Sequence, residues 1–198
     1  MGTFRRPGTN VIHVGIGHDT VWAISSGSTN TIYGDAGEDT VYGGDGNDTV
    51  CGGDDDDELR GGSGNDTIEG GTGSDEIYGE GGNDIITPGQ EGDTSYGGSG
   101  DDTFAYEGGD QVFVETTGQG TDHIELPVGV DSGDIEFYRV GNASNYDLLI
   151  LVDGLGSIQL PNFFDSGGNF YGTLESLEIL GHINICLHQL YVDRNLWR

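Results

Sequence analysis

Glycine supplies 39 of the 198 residues, and 35 acidic side chains against six basic ones leave a formal net charge of −29. A chain this acidic repels nucleic-acid phosphates and anionic membrane surfaces, so its natural partners are cations. No apolar run approaches the roughly 18 residues of a membrane-spanning helix. With only four prolines and no Gly-X-Y triplet, a collagen helix is excluded too.

The N-terminal stretch MGTFRRPGTN lacks an apolar segment of the signal-peptide kind, so no N-terminal secretory signal is read there. Residues 1–33 hold degenerate nine-residue units: RRPGTNVIH (5–13), VGIGHDTVW (14–22) and SSGSTNTIY (25–33), with Ala23 and Ile24 as an insertion. From residue 34 the period is strict. Examples are GGDGNDTVC (43–51), GGSGNDTIE (61–69) and GGTGSDEIY (70–78), and the last unit in register, YEGGDQVFV, ends at Val114. Position six of the unit is Asp19, Asp39, Asp48, Asp57, Asp66, Asp75, Asp84, Asp93 and Asp102; it is amide at Asn10, Asn30 and Gln111. Position eight is apolar in every unit but one, where Ser95 stands.

That spacing predicts an all-β solenoid. Positions seven to nine form a very short strand with position eight on one face, and the glycine-rich half makes a turn in which positive φ costs little. Two units back to back make one coil. Stacked coils give two parallel sheets around a thin aliphatic core, with each unit beside the next but one. Position-six carboxylates then form two columns, Asp19–Asp39–Asp57–Asp75–Asp93–Gln111 and Asn10–Asn30–Asp48–Asp66–Asp84–Asp102. Carboxylates about 5 Å apart repel by roughly 1 kcal/mol per neighbour in water and about 3 at an effective dielectric near 20. A divalent cation between neighbours reverses the sign. Calcium suits such a place, because it takes six to eight oxygens in tolerant geometry and turns full of glycine expose carbonyls. Magnesium demands stricter geometry. Zinc prefers Cys and His, and His18 is the only imidazole in a loop. Seven Asp–Asp steps predict about seven ions. In the run DDDDE (54–58) only Asp57 is in register, and its neighbours are expected to face outward.

These units resemble the RTX (repeats-in-toxin) nonapeptide family, whose repeat is GGxGxDxUx. The resemblance covers about residues 5–114. It implies a parallel β-roll with calcium between stacked loops. The chain departs from the pattern at Asn10, Asn30 and Gln111, where ion binding is expected to be weak or lost. It departs again at PGQEGDTSY (88–96), where Glu91 and Ser95 predict a local irregularity.

The period is expected to stop after Val114. Residues 115–181 read as a β-rich capping region with strands over 135–140, 146–152 and 157–160 and an aromatic cluster of Asn162, Phe163, Phe164 and Tyr171. The blocks DSGDIEF, DLLILVDG and PNFF resemble the haemolysin-type calcium-binding related region that follows such repeats. A solenoid needs a cap over its open core and edges. Residues 182–198 form a tail, read as a short helix or strand on the cap. Cys51 and Cys186 suggest no disulfide framework. Trp22 and Trp197 are expected to cover the array's N-terminal end and the cap.

No nucleophile elbow, zinc-binding HExxH or phosphate-binding loop is present; the last needs a lysine, and all six basic residues are arginines. The regular columns assign the carboxylates to metal, and no enzyme activity is expected. The first functional expectation is a calcium-binding module of a secreted bacterial protein. It folds on calcium outside the cell, leaves by a one-step (type I-like) route, and supports the secretion or stability of a larger protein. Two alternatives stand beside it: a carbohydrate- or surface-binding module with extracellular polysaccharide as partner, and the C-terminal fragment of a secreted enzyme. Oligomeric state is not readable.

Overall fold

The computed structural model describes residues 2–4, 8–23, 27–114, 120–141, 146–164, 174–179 and 183–186. Alternate units feed two parallel sheets. One holds β1 (Gly2–Phe4), β3 (Thr20–Ala23), β5 (Thr40–Asp45), β7 (Glu58–Ser63), β9 (Glu76–Gly81), β11 (Thr94–Ser99) and β13 (Gly109–Val114) in that order. The other holds β2 (Asn10–His13), β4 (Asn30–Ala36), β6 (Thr49–Asp54), β8 (Thr67–Thr72), β10 (Ile85–Gly89), β12 (Thr103–Ala105) and β14 (Asp122–Leu126). Pairing follows the nonapeptide: Val41 lies beside Leu59 and Leu59 beside Ile77, while Val50 lies beside Ile68 and Ile68 beside Ile86. This is the parallel β-roll.

The strands are longer than the three residues expected. Most run from position seven into position three of the next unit, because the glycine pair also joins the ladder, as at Gly44 beside Gly62. Position two and position four have positive φ, for instance 114° at Gly62 and 127° at Gly64. Backbones there almost touch: a Cβ on Gly62 would lie 2.0 Å from the Gly44 carbonyl oxygen. Glycine is therefore needed for contact as well as for conformation. Asp35, Asp55 and Glu80 hold φ between 74° and 77° without being glycine.

Position eight fills the core. Ile32, Val41, Val50, Leu59, Ile68, Ile77 and Ile86 are fully buried, one aliphatic side chain per unit. The irregularity expected at Glu91 and Ser95 is confined to the loop: Ser95 stays in register with Ile77 and Phe113 and is fully buried, whereas Glu91 lacks the positive φ that position four has in the other units from residue 34 to 105. The stacked pair Phe104–Phe113, with centroids 4.6 Å apart, supplies bulk beside Ser95. Trp22 does not cover the N-terminal end. It stands at position nine on the outer face of its sheet, stacked on Tyr42 at 3.8 Å. Arg60 extends that column, 5.6 Å from the Tyr42 ring and 4.0 Å from the Tyr78 ring, and Tyr78 stacks on Tyr96.

The period does not stop at Val114. β14 continues the second sheet, with Ile124 beside Phe104 and fully buried in the position-eight column. Beyond it the first sheet continues through β15 (Ile135–Gly141), β16 (Tyr146–Val152) and β17 (Gly156–Phe164); β17 pairs parallel with β13, and the three form an antiparallel meander. The second sheet continues through β18 (Leu174–Ile179) and the antiparallel β19 (Ile183–Cys186). Leu148, Ile150 and Val152 are buried and alternate with less buried neighbours, so β16 is buried on one face. Phe163 is buried. Tyr171, the Phe164 side chain, Trp197 and most of the tail lie outside the described residues. Among the described residues no helix is long and apolar enough to cross a membrane.

Candidate metal centre

Position six sits where the loop turns into the strand, so its side chain points into the stack of loops. From Asp19 to Asp84 each backbone N–H at position six donates to the position-six carboxylate of the next coil. In one column Asp19, Asp39, Asp57 and Asp75 donate to Oδ1 of Asp39, Asp57, Asp75 and Asp93 at 2.7–2.9 Å. In the other, Asn30, Asp48, Asp66 and Asp84 donate to Oδ1 of Asp48, Asp66, Asp84 and Asp102 at 2.6–2.8 Å. The insertion at Ala23 and Ile24 leaves the Asp19–Asp39 step intact.

Each carboxylate thus uses one oxygen on the backbone. The other, Oδ2, of Asp39, Asp48, Asp57, Asp66, Asp75, Asp84 and Asp102 is buried with no hydrogen-bond donor among the described residues. Backbone carbonyls converge on the same places. A Cβ on Gly52 would meet Asp57 Oδ2 at 2.3 Å and the Gly70 oxygen at 2.6 Å; one on Gly79 would meet Asp84 Oδ2 and the Gly97 oxygen, both at 2.4 Å. In the units from residue 34 to 87 position one is glycine, and a side chain there would run into the Asp Oδ2 beside it. Burial pushes the Asp57 and Asp66 carboxyls up to about 7, against the pull of one backbone N–H and with help from the charges above and below in the column. Burial likewise raises Asp48, Asp75 and Asp84 to about 6, and shifts Asp39, Asp93 and Asp102 upward.

Rows of buried carboxylate oxygens without donors are costly unless a cation neutralises them. No group of three or more Asp, Glu, His or Cys side chains gathers among the described residues. Each place instead offers carboxylates of one column and backbone carbonyls, an all-oxygen set that fits calcium. In the run 54–58, Asp57 is buried while Asp54, Asp55 and Asp56 are exposed.

The column ends differ. Asp19 is only half-buried. Asn10 Nδ2 donates to Asn30 Oδ1 at 2.8 Å, and Asn30 Nδ2 to the Gly43 carbonyl at 3.2 Å. Asp93 Oδ2 accepts from Gln111 Nε2 at 3.0 Å. Asp122 is a position-six residue that the nonapeptide count missed. The Asp102 N–H donates to its Oδ1 at 2.9 Å, and it is buried. Its signal was present as TGQGTDHIE (117–125), displaced two residues from the strict period. A second column was also missed. At position five, Asn47, Asn65, Asn83 and Asp101 each accept, through Oδ1, the N–H two units on, at 2.8–3.1 Å.

The family described as RTX calcium-binding nonapeptide repeat (4 copies) matches residues 24–59 and 60–95. No curated protein matches the chain. Among solved structures, the AlgE6R3 subunit of the Azotobacter vinelandii mannuronan C5-epimerase is similar at 24% identity, covering 55% of this chain and 71% of that one, with a TM-score of 0.44. The extracellular lipase LipA of Serratia marcescens is similar at 12% identity over 87% of this chain, with a TM-score of 0.28; the chain covers 40% of the lipase's length. At these scores neither likeness bears on the site. The family match and the repeat's own pattern do: residues 24–95 carry the RTX calcium-binding nonapeptide repeat.

Proposed function

We propose that this module holds seven calcium ions, one at each orphaned Oδ2, and that they switch the array from an expanded chain to the roll. The count equals the one read from the sequence, but its membership changes. The buried Asp102–Asp122 step replaces the half-exposed Asp19–Asp39 step. The observation that carries the proposal is the row of seven buried oxygens without donors among the described residues. Extracellular calcium modules bind with dissociation constants of about 10⁻⁴–10⁻³ M. At a few-fold excess each site adds roughly 1 kcal/mol, so seven together add an amount comparable with the roughly 5–15 kcal/mol of a whole domain. At cytosolic calcium that contribution vanishes and carboxylate repulsion remains. The expanded state suits export through a narrow channel, and millimolar calcium outside the cell suits the roll. In this reading the module is not itself an enzyme; it supports the secretion and stability of a larger neighbour.

Circular dichroism and small-angle scattering in chelator, then in millimolar calcium, test the switch. A chain already compact and β-rich in chelator at neutral pH sinks it. Anomalous diffraction from calcium-saturated crystals tests the count, and fewer than three ions defeats it. The carbohydrate-binding alternative is separated by a glycan array run with and without calcium.

A further inference from the structure

Gln111 occupies position six of the last unit before the two-residue displacement, and its side chain is buried to 1% exposure. Its Nε2 lies 2.6 Å from the Glu91 carbonyl oxygen, 3.0 Å from Asp93 Oδ2, 3.1 Å from the Gly108 carbonyl oxygen and 3.4 Å from the Gly89 carbonyl oxygen. Four oxygens from two successive coils, one of them a carboxylate, converge on a single nitrogen. That is the environment a hard cation takes, here facing an N–H donor. The reverse amide orientation would aim Oε1 at four oxygens, so the assignment is fixed by its surroundings; Oε1 itself is buried without a donor among the described residues. A second feature agrees. In the six units from residue 34 to 87 position one is glycine beside the orphaned Oδ2, but in the next unit, that of Asp93, it is Pro88, a buried residue with a Cβ. Asp93 is correspondingly absent from the orphaned carboxylates, although its neighbour Asp75 is among them.

We infer that the Gln111 side-chain amide is a tethered substitute for the cation at the Asp93 step, which excludes calcium there and lets this one rung form without it. The inference rests on the calcium reading of the columns. The rung lies where β13 meets both β11 and the cap strand β17. A segment that is ordered before calcium arrives gives the ion-dependent coils a template to stack on, from the C-terminal side.

Three full-length variants test it against the wild type, with calcium alone as the probe. Gln111→Asp restores the common position-six residue; Gln111→Met keeps the length without a donor or a charge. Two quantities are read: calcium bound per chain by equilibrium dialysis, and amide hydrogen exchange of residues 94–96 and 109–114 in chelator. Gln111→Asp is expected to bind one ion more than wild type. In chelator it should exchange at least tenfold faster over those segments, with protection restored by calcium. Gln111→Met should exchange as fast in chelator and bind no extra ion. Pro88→Gly combined with Gln111→Asp should tighten the added site. Equal non-zero ion counts for wild type and Gln111→Asp, or unchanged exchange in chelator for both single variants, overturns the inference while leaving the calcium reading intact. A wild-type chain that binds no calcium sinks both.

Discussion

The array and the cap share two continuous sheets yet are stabilised in different ways. In the array each nine residues bury one aliphatic side chain and one carboxylate, as with Ile68 and Asp66. In the cap the seven residues of β16 bury Leu148, Ile150 and Val152, and antiparallel neighbours pair with it on both sides. Parallel stacking at 18-residue spacing aligns like charges, whereas the meander aligns apolar side chains. The array's core is thus incomplete as protein alone, and the cap's is not. A repeat that looks too polar to fold is better understood as half of a binding site than as a weak strand.

Removing calcium should give the largest effect and split the molecule along this line. In chelator at pH 7, amide exchange in β5 to β10 is expected to approach the unprotected rate. The strands β15 to β17 should keep measurable protection. Uniform loss in both regions would show that the cap has no stability of its own.

Acid should partly replace the ion, and only in the array. For Asp57 and Asp66 the folded-state pKa is about 7, against an ordinary carboxylate value of 3.8. The ion-free roll therefore binds more protons than the unfolded chain between those limits. Its stability is fully present below about pH 4 and is lost as pH rises toward 7. In chelator, lowering the pH from 7 to 4.5 should restore β-sheet dichroism. With calcium present the sign reverses, because the ion requires the carboxylate form. The calcium midpoint should then rise as pH falls below 6, and binding at pH 6 should release protons, measurable by calorimetry in buffers of different ionisation enthalpy.

Two alanine substitutions compare the regions at the level of one methyl group. Gly62 and Gly154 both have positive φ, 114° and 74°. A Cβ on Gly62 would meet a carbonyl oxygen at 2.0 Å, whereas one on Gly154 would meet nothing within 4 Å. Gly154→Ala should cost only the conformational penalty, about 1 kcal/mol. Gly62→Ala must also separate two coils, and is expected to cost more than about 2 kcal/mol. Thermal midpoints in saturating calcium decide it.

This contrast explains what was legible in the sequence. Glycine at positions two and four, carboxylate at six and an aliphatic at eight each answer a separate steric or electrostatic demand, so the array could be drawn residue by residue. Asp122 escaped because two extra residues shifted its unit out of strict count, although TGQGTDHIE keeps the glycines, the carboxylate and Ile124. Gln111 was read as a missing ligand. That its amide would supply a donor depends on two carbonyls of the preceding coil, those of Gly89 and Glu91, which no local pattern encodes. Trp22 was assigned to an end because its partner Tyr42, one coil away, becomes a neighbour only through stacking.

Within the array, position should set the size of a carboxylate deletion. Asp66 lies mid-column with aspartates on both sides, so Asp66→Ala removes ligands from two steps. Asp19 touches only the Asp39 step and is half-buried. At a few-fold calcium excess the difference is about 1 kcal/mol per lost site. Asp66→Ala should therefore raise the calcium midpoint clearly more than Asp19→Ala, and equal midpoints would refute the column order. In chelator the sign should change, since Asp66→Ala removes a buried charge that has no counter-ion.

The smallest expected effect lies in the cap and measures how tightly the two regions are joined. Ile150 is fully buried, and Ile150→Val removes one methylene at a cost of roughly 0.5–1.5 kcal/mol. If cap and array fold as separate units, this leaves the calcium midpoint of the array unmoved. If the parallel pairing of β13 with β17 makes them one cooperative unit, the cost must be met by calcium. Shared over about seven linked ions, 1 kcal/mol shifts the midpoint by only about 1.3-fold. The array's many sites dilute any single defect, so the shift is small even under full coupling. The two cases are separated by reading each region where it folds: the calcium midpoint from exchange in β5 to β10, and the denaturant midpoint of β15 to β17 in chelator. Full coupling moves the first by that factor. Separate folding moves only the second, by the whole cost of the methylene.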